Sequence, residues 1–219
     1  MCAAAGCRLA DVGYFGHGTT VATNIVLEHK GAEVGMITTE GFRDLVEIGL
    51  EDRFAQYDVF LQKPAPLVPR QWRHGVTERS DASGRTITPL DEAQVVALAR
   101  RLQADGIESV AVCFLHGYAH PAHERRVREL MQQHAPGLWV SLASDVCPEI
   151  REYERFATTV ANAYLAPRVA RCGELKPRRS CTSGARRLRC SVTMSLKARA
   201  ASLLMFFSRI SAEIGMNFI

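Results

Sequence analysis

The chain has 219 residues, of which 47% are hydrophobic and 23% charged, a composition typical of a folded globular protein. Its net charge of +4 is uneven, because residues 172–219 carry +7 and the preceding residues carry −3, which argues against nucleic-acid binding by most of the chain. The seven cysteines lack a C-x-x-C pair and no apolar run reaches the roughly 18 residues of a membrane span, so we expect a reduced, cytoplasmic protein without a zinc ribbon.

The N-terminal elements alternate between strand and helix. The apolar patterns predict, in order, a strand at 12–15, a helix at 20–30, a buried strand at 33–37 and a helix at 41–49. Gly31 is the expected C′ residue of the first helix, since glycine tolerates the left-handed backbone that often ends a helix.

Residues 16–20, Gly-His-Gly-Thr-Thr, connect the first predicted strand to the first predicted helix. A glycine-rich turn at this place directs free backbone N–H groups and the positive end of the helix dipole toward an anion or a carbonyl oxygen. The alternative is that Thr19 is only an N-cap and that the two glycines only form the turn. The loop matches neither the P-loop nor the Gly-x-Gly-x-x-Gly motif.

The middle of the chain, 52–90, is rich in prolines and turns and predicts a β-rich insertion, with "DASGR" as the tip of a hairpin. Periodicity then resumes. The predicted elements are a helix at 91–104, a buried strand at 109–115, a helix at 121–134, a strand at 138–142, and a helix that starts at Pro148, has Glu149 and Glu152 in its first turn and ends at Pro167. Strands that alternate with helices predict an α/β fold with a covered sheet.

Three groups of side chains have both a structural and a functional interpretation. Cys113 lies in an apolar strand and is interpreted as a small buried hydrophobe rather than a nucleophile. The histidines His116, His120 and His123 form either a metal site or a solvated loop. The charged residues of the last helix form either a solvated face with i,i+3 ion pairs or part of a cleft: Arg151, Glu152, Glu154 and Arg155.

The motifs "HGTTVATN" at 17–24 and "PEIREYER" at 148–155, with "SVAVCFLHGYAHPAHERRVRE" between them, are the most specific stretches of the chain. Through them, residues 11–171 closely resemble the N-terminal part of the hydantoinase A / oxoprolinase family. The remainder, 172–219, has no sustained period, and we expect it to be disordered or translated out of frame.

The resemblance implies an ATP-dependent enzyme of the actin/sugar-kinase/Hsp70 fold type that hydrolyses a cyclic amide such as a hydantoin or 5-oxoproline. It implies ATP and Mg²⁺ as cofactors and a partner subunit of the hydantoinase B type. From the residues themselves we expect no nucleic-acid, membrane or metal site. The residues implied to bind substrate or phosphate are His17, Gly18, Thr19, Thr20 and Asn24. The residues expected to face a cleft are Arg43, Glu149, Arg151 and Glu152.

Two phosphate-binding motifs of the family have no counterpart in the chain. No Asp-x-Gly-Gly-Thr type motif precedes Asp11, and the segment after Arg171 holds no second glycine-rich motif. We therefore expect a fragment that keeps only part of the fold, binds ATP and Mg²⁺ poorly and is inactive alone. The alternatives are a subunit of an ATP-dependent ketone carboxylase and a non-catalytic interaction remnant.

Overall fold

The computed structural model describes residues 21–50, 57, 60 and 65–173. The strands within them are β1 (Val34–Thr39), β2 (Arg73–Val76), β3 (Arg79–Ser80), β4 (Thr86–Thr88), β5 (Ser109–Cys113) and β6 (Trp139–Leu142). The helices are α1 (Val21–Leu27), α2 (Leu45–Ile48), α3 (Glu92–Ala104), α4 (Ala122–His134), α5 (Ala143–Val146) and α6 (Glu152–Gly173), with a 3-10 turn at Arg70–Trp72. The predicted strand at 12–15 and the predicted tail beyond Gly173 lie outside the described residues.

Four parallel strands form the main sheet in the order β2-β1-β5-β6. Every residue of β1 and of β5 is buried, as expected for strands covered on both faces. From β1 the chain continues to β2 on one side, and from β5 it continues to β6 on the other side. The topological switch point therefore lies between the carboxyl ends of β1 and β5, where open α/β sheets bind ligands.

Two hydrophobic clusters cover the two faces of this sheet. Because side chains alternate along a strand, Ile37 belongs to the cluster that contains α3 and α4, whereas Met36 belongs to the cluster that contains α1 and α6. Val112 and Cys113 of β5 divide between the faces in the same way. The result is a three-layer α/β arrangement, which confirms the predicted fold class at this level.

Helix α3 follows its sequence pattern closely. Asp91 is its N-cap, because the Asp91 carboxylate accepts the backbone N–H of Gln94 at 3.0 Å. The apolar face predicted from the sequence consists of Val95, Leu98, Ala99 and Leu102, of which all but the partly buried Leu98 are fully buried. The predictions for α4, β5 and β6 are confirmed to within a few residues.

Helix α1 ends earlier than predicted, and Gly31 is not its C′ residue. His29 adopts the left-handed backbone with φ of 51°, while the N–H groups of His29 and Lys30 donate to the carbonyls of Val26 and Ile25. This is the Schellman arrangement, with His29 in place of glycine. Gly31 instead lies against the ring of Tyr164, which a Cβ atom at position 31 would hit.

Helix α6 was predicted wrongly at both ends. It starts at Glu152 rather than Pro148, so Glu149 precedes the helix, and it continues through Pro167 to Gly173. Proline disrupts an isolated helix by about 3 kcal/mol, but packing on both sides of Pro167 offsets this cost. Tyr164 and Leu165 are buried before it, and Arg168 after it donates to the carbonyl of Gly31 and the carboxylate of Glu108.

The predicted hairpin is present as β3 and β4, with Asp81 accepting hydrogen bonds from Ser83 and Arg85 in the turn. The same region was wrongly predicted to be an insertion throughout, because β2 joins the main sheet beside β1. The predicted helix at 41–49 is reduced to the single turn of α2. Among the described residues, no helix is long and apolar enough to cross a membrane.

Candidate functional site

Five polar side chains lie beyond the carboxyl ends of the central strands. Thr39 is the last residue of β1, and Glu78 follows β2 by two residues. His123 and Glu124 are in the first turn of α4, and Arg155 is in the first turn of α6. The two central strands are parallel, so their following segments meet at the same edge, next to the switch point.

The Glu78 carboxylate is the centre of this edge. Its side chain is only 1% exposed, and it accepts the hydroxyl of Thr39 on one oxygen and contacts His123 Nδ1 at 2.8 Å with the other. Thr39 Oγ1 in turn accepts the backbone N–H of Leu115 at 3.2 Å. Glu78 therefore joins the ends of β1 and β5 to the start of α4.

His123 is the accessible member of the pair, with 17% of its side chain exposed. A carboxylate at Nδ1 favours the tautomer that carries its proton there, which leaves a lone pair on Nε2. Among the described residues, Nε2 has no hydrogen-bond partner. An imidazole held in this way is suited to accept a proton from a ligand or a water molecule.

Glu124 and Arg155 have a different role, since both side chains are fully buried. Glu124 accepts the backbone N–H groups of Phe114 at 3.0 Å and Ser144 at 2.8 Å. Burial raises the pKa of Glu124 above its ordinary value, although these hydrogen bonds act in the opposite direction. Arg155 donates to the carbonyls of Phe114 and Glu149, at 2.9 and 3.2 Å. The two side chains hold the loop after β5 in place.

Several buried polar atoms at this edge have no hydrogen-bond partner among the described residues. They include Thr38 Oγ1, one residue before the end of β1, His116 Nδ1, three residues after β5, and Arg155 Nε. His116 also has a positive φ of 56°, an uncommon conformation for a residue other than glycine. Unpaired buried groups and backbone strain often mark functional sites. Both features lie at the switch point.

A second site lies at the outer edge of β2. Between β2 and α3 is a cleft of about 400 Å³, which is called the arginine cleft below. Its described lining consists of Arg43, Arg73, His74, Gly75, Gln94, Ala97, Leu98 and Arg101. The lining is cationic and contains no acidic residue among these eight.

The residues predicted to bind substrate or phosphate are mostly outside the described part of the chain: His17, Gly18, Thr19 and Thr20. Asn24 is exposed on α1. Of the residues predicted to face a cleft, Arg43 lines the arginine cleft, Glu149 and Arg151 are exposed, and Glu152 is partly exposed. Their roles stay predictions.

The remaining side-chain predictions have mixed outcomes. Cys113 is buried, as predicted, and burial raises its pKa well above the ordinary value. Arg151 and Glu154 form the i,i+3 pair of the solvated-face interpretation at 3.4 Å, but that interpretation does not hold for Arg155, which is buried under the loop after β5. Within the described ranges, no group of three or more His, Cys, Asp or Glu is arranged to hold a metal ion.

The family model described as the hydantoinase/oxoprolinase N-terminal region matches residues 2–135 of the chain. The chain belongs to the hydantoinase/oxoprolinase family. Caprolactamase subunit alpha of Pseudomonas jessenii is 35% identical over 165 residues, which cover 74% of this chain and 24% of that protein. The 5-oxoprolinase of Saccharomyces cerevisiae is 34% identical over 180 residues, which cover 68% of this chain and 14% of that protein.

Solved structures of hydantoinase/oxoprolinase relatives have the same fold. The ATP-dependent caprolactamase of Pseudomonas jessenii matches with a TM-score of 0.70 and 34% identity, over 79% of this chain and 26% of that chain. The nucleotide-free acetone carboxylase matches with a TM-score of 0.62 and 30% identity, over 68% of this chain and 22% of that chain. The chain thus spans about a quarter of the length of the caprolactamase chain.

Glu78 and Thr39 are the members of the site that sequence reasoning missed. Glu78 lies in the predicted insertion, 45 residues before His123, and nothing in its neighbourhood distinguishes it from an exposed charge. The available signal was the position of Thr39 at the carboxyl end of the buried strand β1, since strand ends form ligand sites in α/β folds.

Proposed function

We propose that this chain forms the N-terminal α/β region of an ATP-dependent enzyme that hydrolyses a cyclic amide. The observation that carries the proposal is the likeness to the ATP-dependent caprolactamase, with a TM-score of 0.70 and 34% identity. The 5-oxoprolinase relative supports the same substrate class, because caprolactam and 5-oxoproline are both cyclic amides.

The proposed reaction needs ATP because an amide carbonyl is a poor electrophile. Transfer of the terminal phosphoryl group to the amide oxygen makes the carbonyl carbon more electrophilic, and a protein contributes positioning and charge neutralisation to such a transfer. After water adds to this carbon, the ring C–N bond breaks with its electron pair going to the nitrogen, which takes up a proton, and hydrolysis then releases the phosphate from the carboxyl group. The loop at 17–20 is the proposed contact for phosphate or substrate. No Mg²⁺ ligands are assigned, because the described residues include no group suited to a metal ion.

Within this reaction we assign the proton transfer from water to the pair formed by Glu78 and His123. As the water oxygen bonds to the activated carbonyl carbon, its proton passes to His123 Nε2, and the electron pair of the broken O–H bond stays on the oxygen. Glu78 keeps the Nδ1 proton in place and stabilises the imidazolium that forms. Such general base catalysis contributes about 10²- to 10⁴-fold.

The test is a chimeric enzyme in which this chain replaces the matching segment of the caprolactamase subunit, assayed with its partner subunit. We expect ADP release that depends on caprolactam, 5-oxoproline or hydantoin. His123→Gln should lower kcat by roughly 10²-fold. His134→Gln at the other end of α4 is the matched control and should leave kcat unchanged. Equal turnover of the two variants would show that His123 does not accept the proton from water.

The loop prediction is tested in the same chimera. Replacing Thr19 and Thr20 by Val should lower turnover while the protein stays folded, because two hydroxyl donors are lost. Unchanged turnover would show that the two hydroxyl groups do not contribute to binding phosphate or substrate. We expect the isolated chain to catalyse no ATP-dependent ring opening. Isothermal titration calorimetry with ATP would measure the affinity of the isolated chain for the nucleotide.

The second candidate is a subunit of an ATP-dependent ketone carboxylase, which the likeness to acetone carboxylase favours. The chimera distinguishes the two reactions, because carboxylation requires a ketone and bicarbonate, whereas hydrolysis requires neither. We further propose that the complete protein has the actin/sugar-kinase/Hsp70 fold and acts with a partner subunit. The name of the caprolactamase relative, subunit alpha, supports a multi-subunit assembly.

A further inference from the structure

The arginine cleft contains a buried guanidinium that is only partly satisfied. Arg73 is 0% exposed; its Nε donates to the carbonyl of Val68 at 2.9 Å, and its Nη1 pairs with Glu47 at 2.6 Å. Its Nη2 is buried and has no partner among the described residues. A buried unpaired donor of a charged group costs more than a neutral one, so a ligand that accepts from it gains correspondingly.

His74, the next residue, repeats this pattern. Its Nε2 is also buried without a partner among the described residues, and it lines the same cleft. Burial and the positive charges of Arg101 and Arg43 lower the pKa of His74. A neutral His74 is a hydrogen-bond donor through Nε2 in one of its tautomers. Two neighbouring residues that line one cavity therefore each carry a buried nitrogen atom without a partner among the described residues.

The rest of the cleft has the charge and shape of a site for a small organic anion. Arg101 and Arg43 are 64% and 51% exposed at the cleft, and their acidic neighbours Asp105 and Asp44 are 3.6 and 3.7 Å away outside its lining. Leu98 provides an apolar wall. The volume of about 400 Å³ falls in the range of small-molecule sites.

We propose that the arginine cleft binds a small carboxylate, with Arg73, His74 and Arg101 contacting the carboxylate group and Leu98 contacting its apolar body. The planar guanidinium matches a carboxylate with two parallel hydrogen bonds, which distinguishes it from a lysine site. This site lies at the edge of the sheet, away from the switch point, and is independent of the proposed reaction.

The test is titration of the full chain with sodium hexanoate, followed by calorimetry and by the NMR signals of the His74 ring. We expect binding that shifts the His74 signals. Arg101→Gln should weaken it roughly tenfold, which corresponds to one charge-assisted contact. Arg100→Gln is the matched control, since Arg100 is exposed on α3, does not line the cleft and removes the same charge.

Two further probes separate the carboxylate assignment from general anion binding. Leu98→Ala should weaken hexanoate but not acetate, because only hexanoate contacts the apolar wall. Inorganic phosphate should bind more weakly than hexanoate. Absence of binding, equal losses in Arg100→Gln and Arg101→Gln, or tighter binding of phosphate would overturn the proposal. Arg73 is not varied, because its contacts with Glu47 and Val68 also hold the fold.

Discussion

The switch-point edge and the arginine cleft both contain buried charged side chains, but the two regions differ in what surrounds these side chains. At the edge, Glu124 accepts two backbone N–H groups and Arg155 donates to two backbone carbonyls, so each charge is used to fix a loop. Arg155 at the edge and Arg73 in the cleft each keep one buried nitrogen without a partner among the described residues, but Arg73 also lines the cavity of about 400 Å³. The difference teaches that a buried, unmet hydrogen bond marks a binding site only where a cavity adjoins the residue that carries it.

Removing Glu124 tests the structural half of this comparison and should have the largest effect. Glu124→Ala leaves two buried N–H groups unpaired, so the free energy of unfolding should fall by about 3 kcal/mol. Urea denaturation measures this change. Glu129→Ala on the exposed face of the same helix is the control and should cost at most about 0.5 kcal/mol. Similar losses in both variants would contradict a structural role for Glu124.

Replacing Thr39 tests whether the contact between Glu78 and His123 depends on the hydrogen bond that Thr39 donates to Glu78. Thr39→Val keeps the shape of the side chain but removes the donor to Glu78 and the acceptor for the Leu115 N–H. We expect a loss of about 1 to 2 kcal/mol in the free energy of unfolding. Thr86→Val on an exposed strand should change little. In the chimera, Thr39→Val should also lower kcat, which a purely structural contact would not require.

The two regions should also respond to pH with opposite signs. The raised pKa of Glu124 means that the folded state holds its proton longer, so its contribution to stability falls as pH rises from the ordinary glutamic acid range. Urea midpoints measured between about pH 4 and 8 should therefore decline more steeply for the wild type than for Glu124→Gln. Parallel curves would show that the Glu124 pKa is unshifted.

For His74 the sign is reversed and the effect is smaller. Its lowered pKa means that the unfolded state binds the proton more readily, so stability is lost as pH falls through the ordinary histidine range near 6.5. His74→Gln should remove this loss between about pH 7 and 5. The control is His134→Gln, and an equal pH dependence in both variants would contradict the expected shift.

Sequence reasoning predicted the helices and strands whose apolar pattern is regular over the whole length of the element. The face of α3 through Val95, Ala99 and Leu102 is an example, as is the uninterrupted strand β5. It failed at Pro167, where tertiary contacts override the local rule that proline ends a helix, and it left the surroundings of Arg155 open, because charge alone does not show that the loop after β5 buries this side chain. The pairing of Glu78 with His123 was not predictable, since no local pattern encodes contacts across 45 residues.

Gly117 connects the buried edge to the constraints on how this sequence can change. A Cβ atom at position 117 would collide with the carboxylate of Glu124, so even alanine there must displace that side chain. The two positions are therefore epistatic: Gly117→Ala should be costly in the wild type and much cheaper once Glu124 has been shortened to Ala, because the obstructing carboxylate is gone. Mutations at 117 and 124 can therefore be interpreted only as a pair.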